Sequence, residues 1–156
     1  MNKNIPKSCK VVVIGGGVAG CSTAYHLAKF GWKDTVLLER DVLTSGTTWH
    51  AAGLIGQLGS SATITRLRNY SLNLYKQLEK ETGLSTGLKQ NGSLTVATTL
   101  DRLEELKRQL TFAQRFEIEA REVNKEEIKE IYPLINTDDI VGGVFITKDG
   151  QADPVG

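Results

Sequence analysis

The chain has 156 residues, room for about one domain, with 19 Lys and Arg against 18 Asp and Glu and a formal net charge of +1. That balance argues against a dedicated nucleic-acid or membrane-surface partner, and no apolar run approaches the roughly 20 residues a bilayer span requires. Cys9 and Cys21 stand alone, with no C-x-x-C and no metal-ligand spacing, so no metal site is expected and a reducing compartment fits. Met1 to Lys10 is polar and lysine-bearing: it lacks the apolar core of a secretory signal, and it is too short and arginine-free for a mitochondrial presequence.

The apolar run Val11 to Ile14 reads as a strand ending at Gly15-Gly16-Gly17-Val18-Ala19-Gly20. A helix follows from about Val18 to Phe30, with Ala24, Leu27 and Ala28 as its sheet face and Gly31 as its C-terminal cap. A second apolar run, Val36 to Leu38, ends in Glu39, 19 residues after Gly20. Strand, glycine turn, helix, strand and acid, in that order, bind an adenine dinucleotide. A glycine-rich turn in an unrelated α/β protein is the bland alternative. Gly15 allows the tight turn, Gly17 lets a pyrophosphate approach bare backbone, and Gly20 lets the helix lie close on the sheet. The helix start near Val18 aims free N–H groups and the positive end of its dipole at phosphates. Glu39 is placed to accept from both ribose hydroxyls, and it repels a 2′-phosphate, which favours FAD or NAD over NADP.

Residues 44–61 are rich in Gly, Ser and Thr and read as a ligand-wrapping loop with a short helix near Trp49 to Gly53. A long helix covers about Ala62 to Thr82, with Ile64, Leu67, Ser71, Leu74, Tyr75 and Leu78 at helical spacing and Gly83 as its stop. Strand signals run from Leu88 to Thr98, with Asn91-Gly92 as a turn or bulge. Thr98 with Asp101 reads as a capping box for a helix over Leu100 to Phe116. A strand over Glu119 to Val123 follows, then Asn124 and Glu127 cap a short helix ending before Pro133. A strand pair is predicted over Ile140 to Thr147 and onward to Gln151, turning at Asp149-Gly150.

Two strands are too few for a parallel sheet, which needs several, covered on both faces. The later strands look antiparallel. The fold class expected is therefore α/β: a Rossmann-like βαβ unit with an inserted antiparallel substrate-side layer, the N-terminal fragment of something longer. A complete small domain with an unusual sheet is the alternative.

The block Ser45-Gly46-Thr47-Thr48-Trp49-His50-Ala51-Ala52-Gly53 lies just after the second strand, at the carboxyl end of the sheet, where ligands bind in such folds. The small residues, Ala51 and Gly53 among them, permit close approach of a flat ligand, and the hydroxyls of Ser45, Thr47 and Thr48 can bond phosphate or ribose. His50 beside a flavin could stack, donate a hydrogen bond, or attack an activated ring methyl as a nucleophile. A loop histidine that makes only a local hydrogen bond is the bland alternative.

Together with the glycine fingerprint and L-L-E-R, the stretch L-T-S-G-T-T-W-H-A-A-G-L resembles the flavin domain of sarcosine and dimethylglycine dehydrogenase-like flavoproteins, in the D-amino-acid-oxidase-like, or glycine oxidase, group. The resemblance continues through L-E-K-E-T-G, Q-N-G-S-L-T-V-A, D-R-L-E-E-L-K-R, Y-P-L-I-N-T-D-D and D-G-Q-A-D-P, and G-L-I-G-Q-L leans toward the sarcosine dehydrogenase branch. It implies FAD as cofactor, carried on His50 through an 8α-methyl bond and held by Gly15, Gly17, Gly20 and Glu39. It places Arg40 and the Ser45 to Thr48 loop near the adenosine and phosphates. The implied reaction is hydride transfer to flavin from an N-methyl amine or amino acid. The acceptor is an electron-transfer flavoprotein or oxygen, and folate enters through a C-terminal domain not present in this chain. No catalytic base is identifiable within these residues. The implied layout is residues 10–60 as dinucleotide-binding unit and flavin loop and residues 61–156 as helices and the start of the substrate side, all within an N-terminal part of one FAD-dependent domain. The implied location is cytoplasmic, or the mitochondrial matrix in a eukaryote.

A regulatory, non-catalytic relative resembling the pyruvate dehydrogenase phosphatase regulatory subunit is the main alternative, which the unbroken W-H-A-A-G disfavours. An NAD-dependent dehydrogenase is a third, opposed by the long insert after Gly53. His26 reads as a structural helix residue, Asp138-Asp139 as a solvated turn, and the charged run at 125–130 as a solvated helix face.

Overall fold

The computed structural model describes residues 6–155 as two compact units, the first ending at Ala52 and the second running from Gly53 to Pro154. In the first, β1 (Val11–Ile14) pairs in parallel with β2 (Thr35–Leu38), Val11 opposite Thr35 and Ile14 opposite Leu38. The crossover is α1 (Val18–Lys29), which ends with Phe30 as its C-cap. Val13 is the buried residue of β1, whereas Val12 and Ile14 are 50% and 85% exposed, so one side of this ladder is packed and the other open. Of the predicted sheet face of α1, Ala24 and Leu27 are half-buried and Ala28 is exposed.

The second unit begins with β3 (Leu54–Ile55) and α2 (Ala62–Thr82). The bounds of α2 match the periodicity. Ser61 caps it by accepting from the Ile64 N–H at 3.3 Å, and Gly83 closes it at φ 71°, a left-handed conformation that suits glycine. An antiparallel sheet follows, of β4 (Ser93–Ala97), β5 (Ala120–Val123) and β6 (Gly142–Ile146) in the order β4-β6-β5. The central strand β6, G-G-V-F-I, is apolar along its length because both of its faces are covered. On one face α3 (Leu100–Gln114) presents Leu103, Leu106 and Ala113 to Ala97, Val144 and Ile146. A second cluster joins Val123, Ile128 and Ile140 to Leu94, Val96 and Phe145, with Ile128 supplied by α4 (Lys125–Ile131). The alternation of Val96 and Ala97 between the two clusters is the period of a strand covered on both sides.

Several predicted details change. The short helix expected near Trp49 to Gly53 forms as a 3-10 turn over Thr47–His50, and α3 ends at Gln114 and not at Phe116. The cap of α3 is Thr99, which accepts from the Arg102 N–H at 3.2 Å, rather than Thr98 with Asp101. The strand signal over Leu88 to Thr98 resolves into a single bridge, Lys89 to Gln151, and then β4, with the break at Gly92. The strand pair predicted to turn at Asp149-Gly150 is not a hairpin. β7 (Gly150–Gln151) leaves β6 and pairs with β3, Leu54 opposite Gln151. The Asp149 carboxylate, 4% exposed, fixes that exit by accepting from the Gln57 N–H at 2.8 Å and the Ser93 hydroxyl at 2.6 Å. No described helix is long and apolar enough to cross a membrane.

Candidate dinucleotide site

The site is built where β1 gives way to α1. Gly15 takes φ 101°, which a side chain would strain, and donates its N–H to the Leu38 carbonyl at 2.8 Å. Among the described residues, none apart from its chain neighbours lies within 4 Å of where a Gly15 Cβ would stand. A Cβ on Gly20 would stand 1.8 Å from the Gly15 carbonyl oxygen. The helix is thus held close to the glycine turn itself as well as to the sheet, where Val13 Cγ1 lies 3.6 Å away. A Cβ on Gly17 would stand 2.9 Å from Thr48 Oγ1.

Gly16 was not singled out by the G-x-G-x-x-G spacing, yet it is the buried centre of the turn. Its N–H donates to Glu39 Oε2 at 2.6 Å, and its carbonyl accepts from the Thr44 N–H at 2.9 Å. A Cβ there would meet Leu43 Cδ2 at 2.6 Å. The run of three consecutive glycines, one more than the motif needs at this point, was the available signal. Thr44 was also missed. It holds a left-handed φ of 68° at the entrance to the loop, an uncommon conformation for a branched residue, and its carbonyl accepts from the Trp49 N–H.

Glu39 sits at the end of β2 as predicted. Its second oxygen, Oε1, accepts from the Asp41 N–H at 3.1 Å. The Gly16 N–H first, and the Asp41 N–H next, hold this carboxyl below the ordinary glutamate value. The carboxylate therefore ties the second strand to the glycine turn, and each oxygen has a further lone pair with which it can accept. Arg40 and Ser45 are exposed beside it.

The loop forms a 3-10 turn over Thr47–His50. Thr48 Oγ1 accepts from the Val18 N–H at 2.9 Å, the first free amide of α1. Gly17, the N-cap, has no side chain to do this, and the first turn of α1 carries no acidic residue. His50 is exposed, its Nδ1 3.0 Å from the Gly46 carbonyl and its ring edge-on to Trp49. With Nδ1–H donating to that carbonyl, Nε2 keeps its lone pair. Thr47 and Ala51 are exposed on either side. Gly53 lies in the second unit, where the space a Cβ would need is filled by the Ala152 carbonyl, 2.2 Å away.

These residues fit an adenine dinucleotide. The turn is open at Gly15, the helix end is free of acid, and a carboxylate stands at the end of the second strand. His26 Nδ1 lies 2.7 Å from the Ser22 carbonyl within α1, Asp138 and Asp139 are exposed, and no cluster of metal-ligating side chains occurs among the described residues.

The pattern of the family described as FAD dependent oxidoreductase matches residues 10–156. Human mitochondrial sarcosine dehydrogenase is 45% identical over 99% of the chain, and rat mitochondrial dimethylglycine dehydrogenase 43% identical over 93%. The chain spans 17% of the length of each. Among solved structures, L-proline dehydrogenase from P. horikoshii superposes with a TM-score of 0.88 and 30% identity, over 96% of this chain and 39% of that one.

Proposed function

The chain belongs to the family of FAD dependent oxidoreductases, and from that premise we propose that the β1–α1 turn seats FAD and that the whole protein oxidises an N-methyl amine or amino acid such as sarcosine or dimethylglycine. The observation that carries this reading is the junction of Gly16, Glu39, Val18 and Thr48, which brings the His50 turn to the phosphate-facing end of α1. The flavin supplies a two-electron acceptor for hydride when bound. The chain's own residues hold and orient it. Gly15, Gly17 and Gly20 admit the pyrophosphate and Glu39 accepts from the ribose. Arg40, Ser45, Thr47 and Thr48 border the adenosine and phosphates, and Ala51 leaves room for a flat ring, whereas the space at Gly53 is taken by the Ala152 carbonyl. His50 is the residue that carries the flavin covalently, and its Nε2 is the free nitrogen because Nδ1 is engaged by Gly46. Residues 10–60 form the dinucleotide part and residues 61–156 the start of the substrate side. Electrons leave to an electron-transfer flavoprotein or to oxygen, and hydrogen peroxide release separates the two. Folate capture of the one-carbon product belongs to a domain outside these residues, and a matrix or cytoplasmic location goes with the same reading.

The test uses the full-length protein. Acid-precipitated wild type should give a yellow pellet, and the His50→Ala pellet should be colourless with FAD in the supernatant. Sarcosine or dimethylglycine should bleach the flavin of the native protein. Flavin that stays attached in His50→Ala sinks the tether. Failure of any N-methyl amine to bleach a flavin-loaded protein would instead favour a regulatory, non-catalytic relative.

A further inference from the structure

We propose that Thr48 is the positioning residue that locks the His50 turn onto the phosphate-facing end of α1. The proposal rests on reading His50 as the flavin-bearing residue, and it concerns how that residue is held. A helix begins with four backbone N–H groups that no carbonyl of its own can satisfy. In α1 the N-cap is Gly17, which has no side chain, and the first of those amides, Val18 N–H, is taken by Thr48 Oγ1 from 30 residues away at 2.9 Å. Thr48 is half-buried while Thr47, Trp49 and His50 around it are exposed, so it is the residue of the 3-10 turn that faces inward. Its hydroxyl lies against bare backbone, since a Cβ on Gly17 would stand 2.9 Å from Oγ1. Gly17 is thus required by Thr48 as well as by a phosphate. Accepting from Val18 uses a lone pair of the hydroxyl and leaves its proton free to donate to an anion at the same helix end.

The His50 ring is held inside the turn by the Gly46 carbonyl, and the turn is held to the helix by Thr48. The imidazole therefore takes its place from a hydroxyl that touches neither the ring nor any reacting atom. Thr48 couples seating of the phosphates to presentation of His50. A mere phosphate ligand at this position would affect only how tightly FAD is held.

The experiment reconstitutes full-length apoprotein with saturating FAD and follows acid-stable flavin over time, with hydrogen exchange at the Val18 amide measured on the apoprotein. Thr48→Val keeps the shape and removes the acceptor. It should slow capture about five- to tenfold and speed exchange at Val18 by a similar factor, the effect of losing one neutral hydrogen bond. Thr48→Ser restores the acceptor and should return both values to within about twofold of wild type. Should Thr48→Val not fold, Thr48→Ala, which cannot overpack, should show the same losses. Capture at wild-type speed in Thr48→Val, or a deficit that more FAD abolishes, overturns the proposal. If wild type itself holds no acid-stable flavin, the tether reading falls separately. Exchange at Val18 then decides, and an unchanged rate in Thr48→Val overturns the positioning role.

Discussion

Glu39 shows how one side chain serves the turn before it serves a ligand. Its carboxylate bonds Gly16 and Asp41, and those N–H groups lower its pKa. A carboxyl whose folded pKa is depressed contributes stability that is fully present above its unfolded value and is lost as pH falls through the folded one. Retention of FAD by wild type should therefore weaken as pH drops below about 4.5, the ordinary glutamate value. Glu39→Gln keeps the shape and cannot titrate. Its FAD retention, followed by flavin fluorescence against pH, should be weaker at pH 7 and should lack this acid-dependent step. Superimposable curves for the two proteins would remove the role. The acid at the end of a strand was legible in L-L-E-R. Its bond to Gly16 was not, because the motif describes where a ligand goes and says nothing of which amides the chain fills itself.

At the scale of elements, α4 was readable because its signal is local. Asn124 Oδ1 accepts from the Glu127 N–H at 2.9 Å, and Glu127 Oε2 accepts from the Asn124 N–H at 2.9 Å, a complete capping box written within four residues. Asn124→Ala should cost about 1 kcal/mol, read as a lower denaturant midpoint at constant slope. An unchanged midpoint would mean that burial of Ile128 alone holds the helix. The cap of α3 was misplaced by one residue because Thr98 and Thr99 offer the same chemistry. The choice falls to Thr99 because Leu103, Leu106 and Ala113 must face Ala97, Val144 and Ile146, and that packing sets the rotation of the helix.

For the molecule as a whole, Asp149 determines where the second unit sends its chain. By its sequence the D-G pair predicts a turn between neighbouring strands. The buried carboxylate instead reaches Gln57 after β3 and Ser93 in β4, and β7 goes to β3. Asp149→Ala would leave the Gln57 N–H without its acceptor inside the fold and should destabilise the protein by about 2 kcal/mol, measured by urea unfolding. Asp149→Asn keeps an acceptor and should cost less. Equal midpoints for wild type and Asp149→Ala would show that the β3–β7 pair holds without it.

Sequence alone determined the βαβ order, the glycine turn, the acid after β2, the bounds of α2 and the cap of α4. Each is encoded by residues a few positions apart, through helical period, strand alternation or a side chain reaching its own backbone. Only the tertiary structure decided that Thr48 caps α1, that Gly53 yields its space to the Ala152 carbonyl, and that β7 leaves β6 for β3. Those contacts join residues 30 to about 100 positions apart, where no local pattern names the partner and close packing makes the choice.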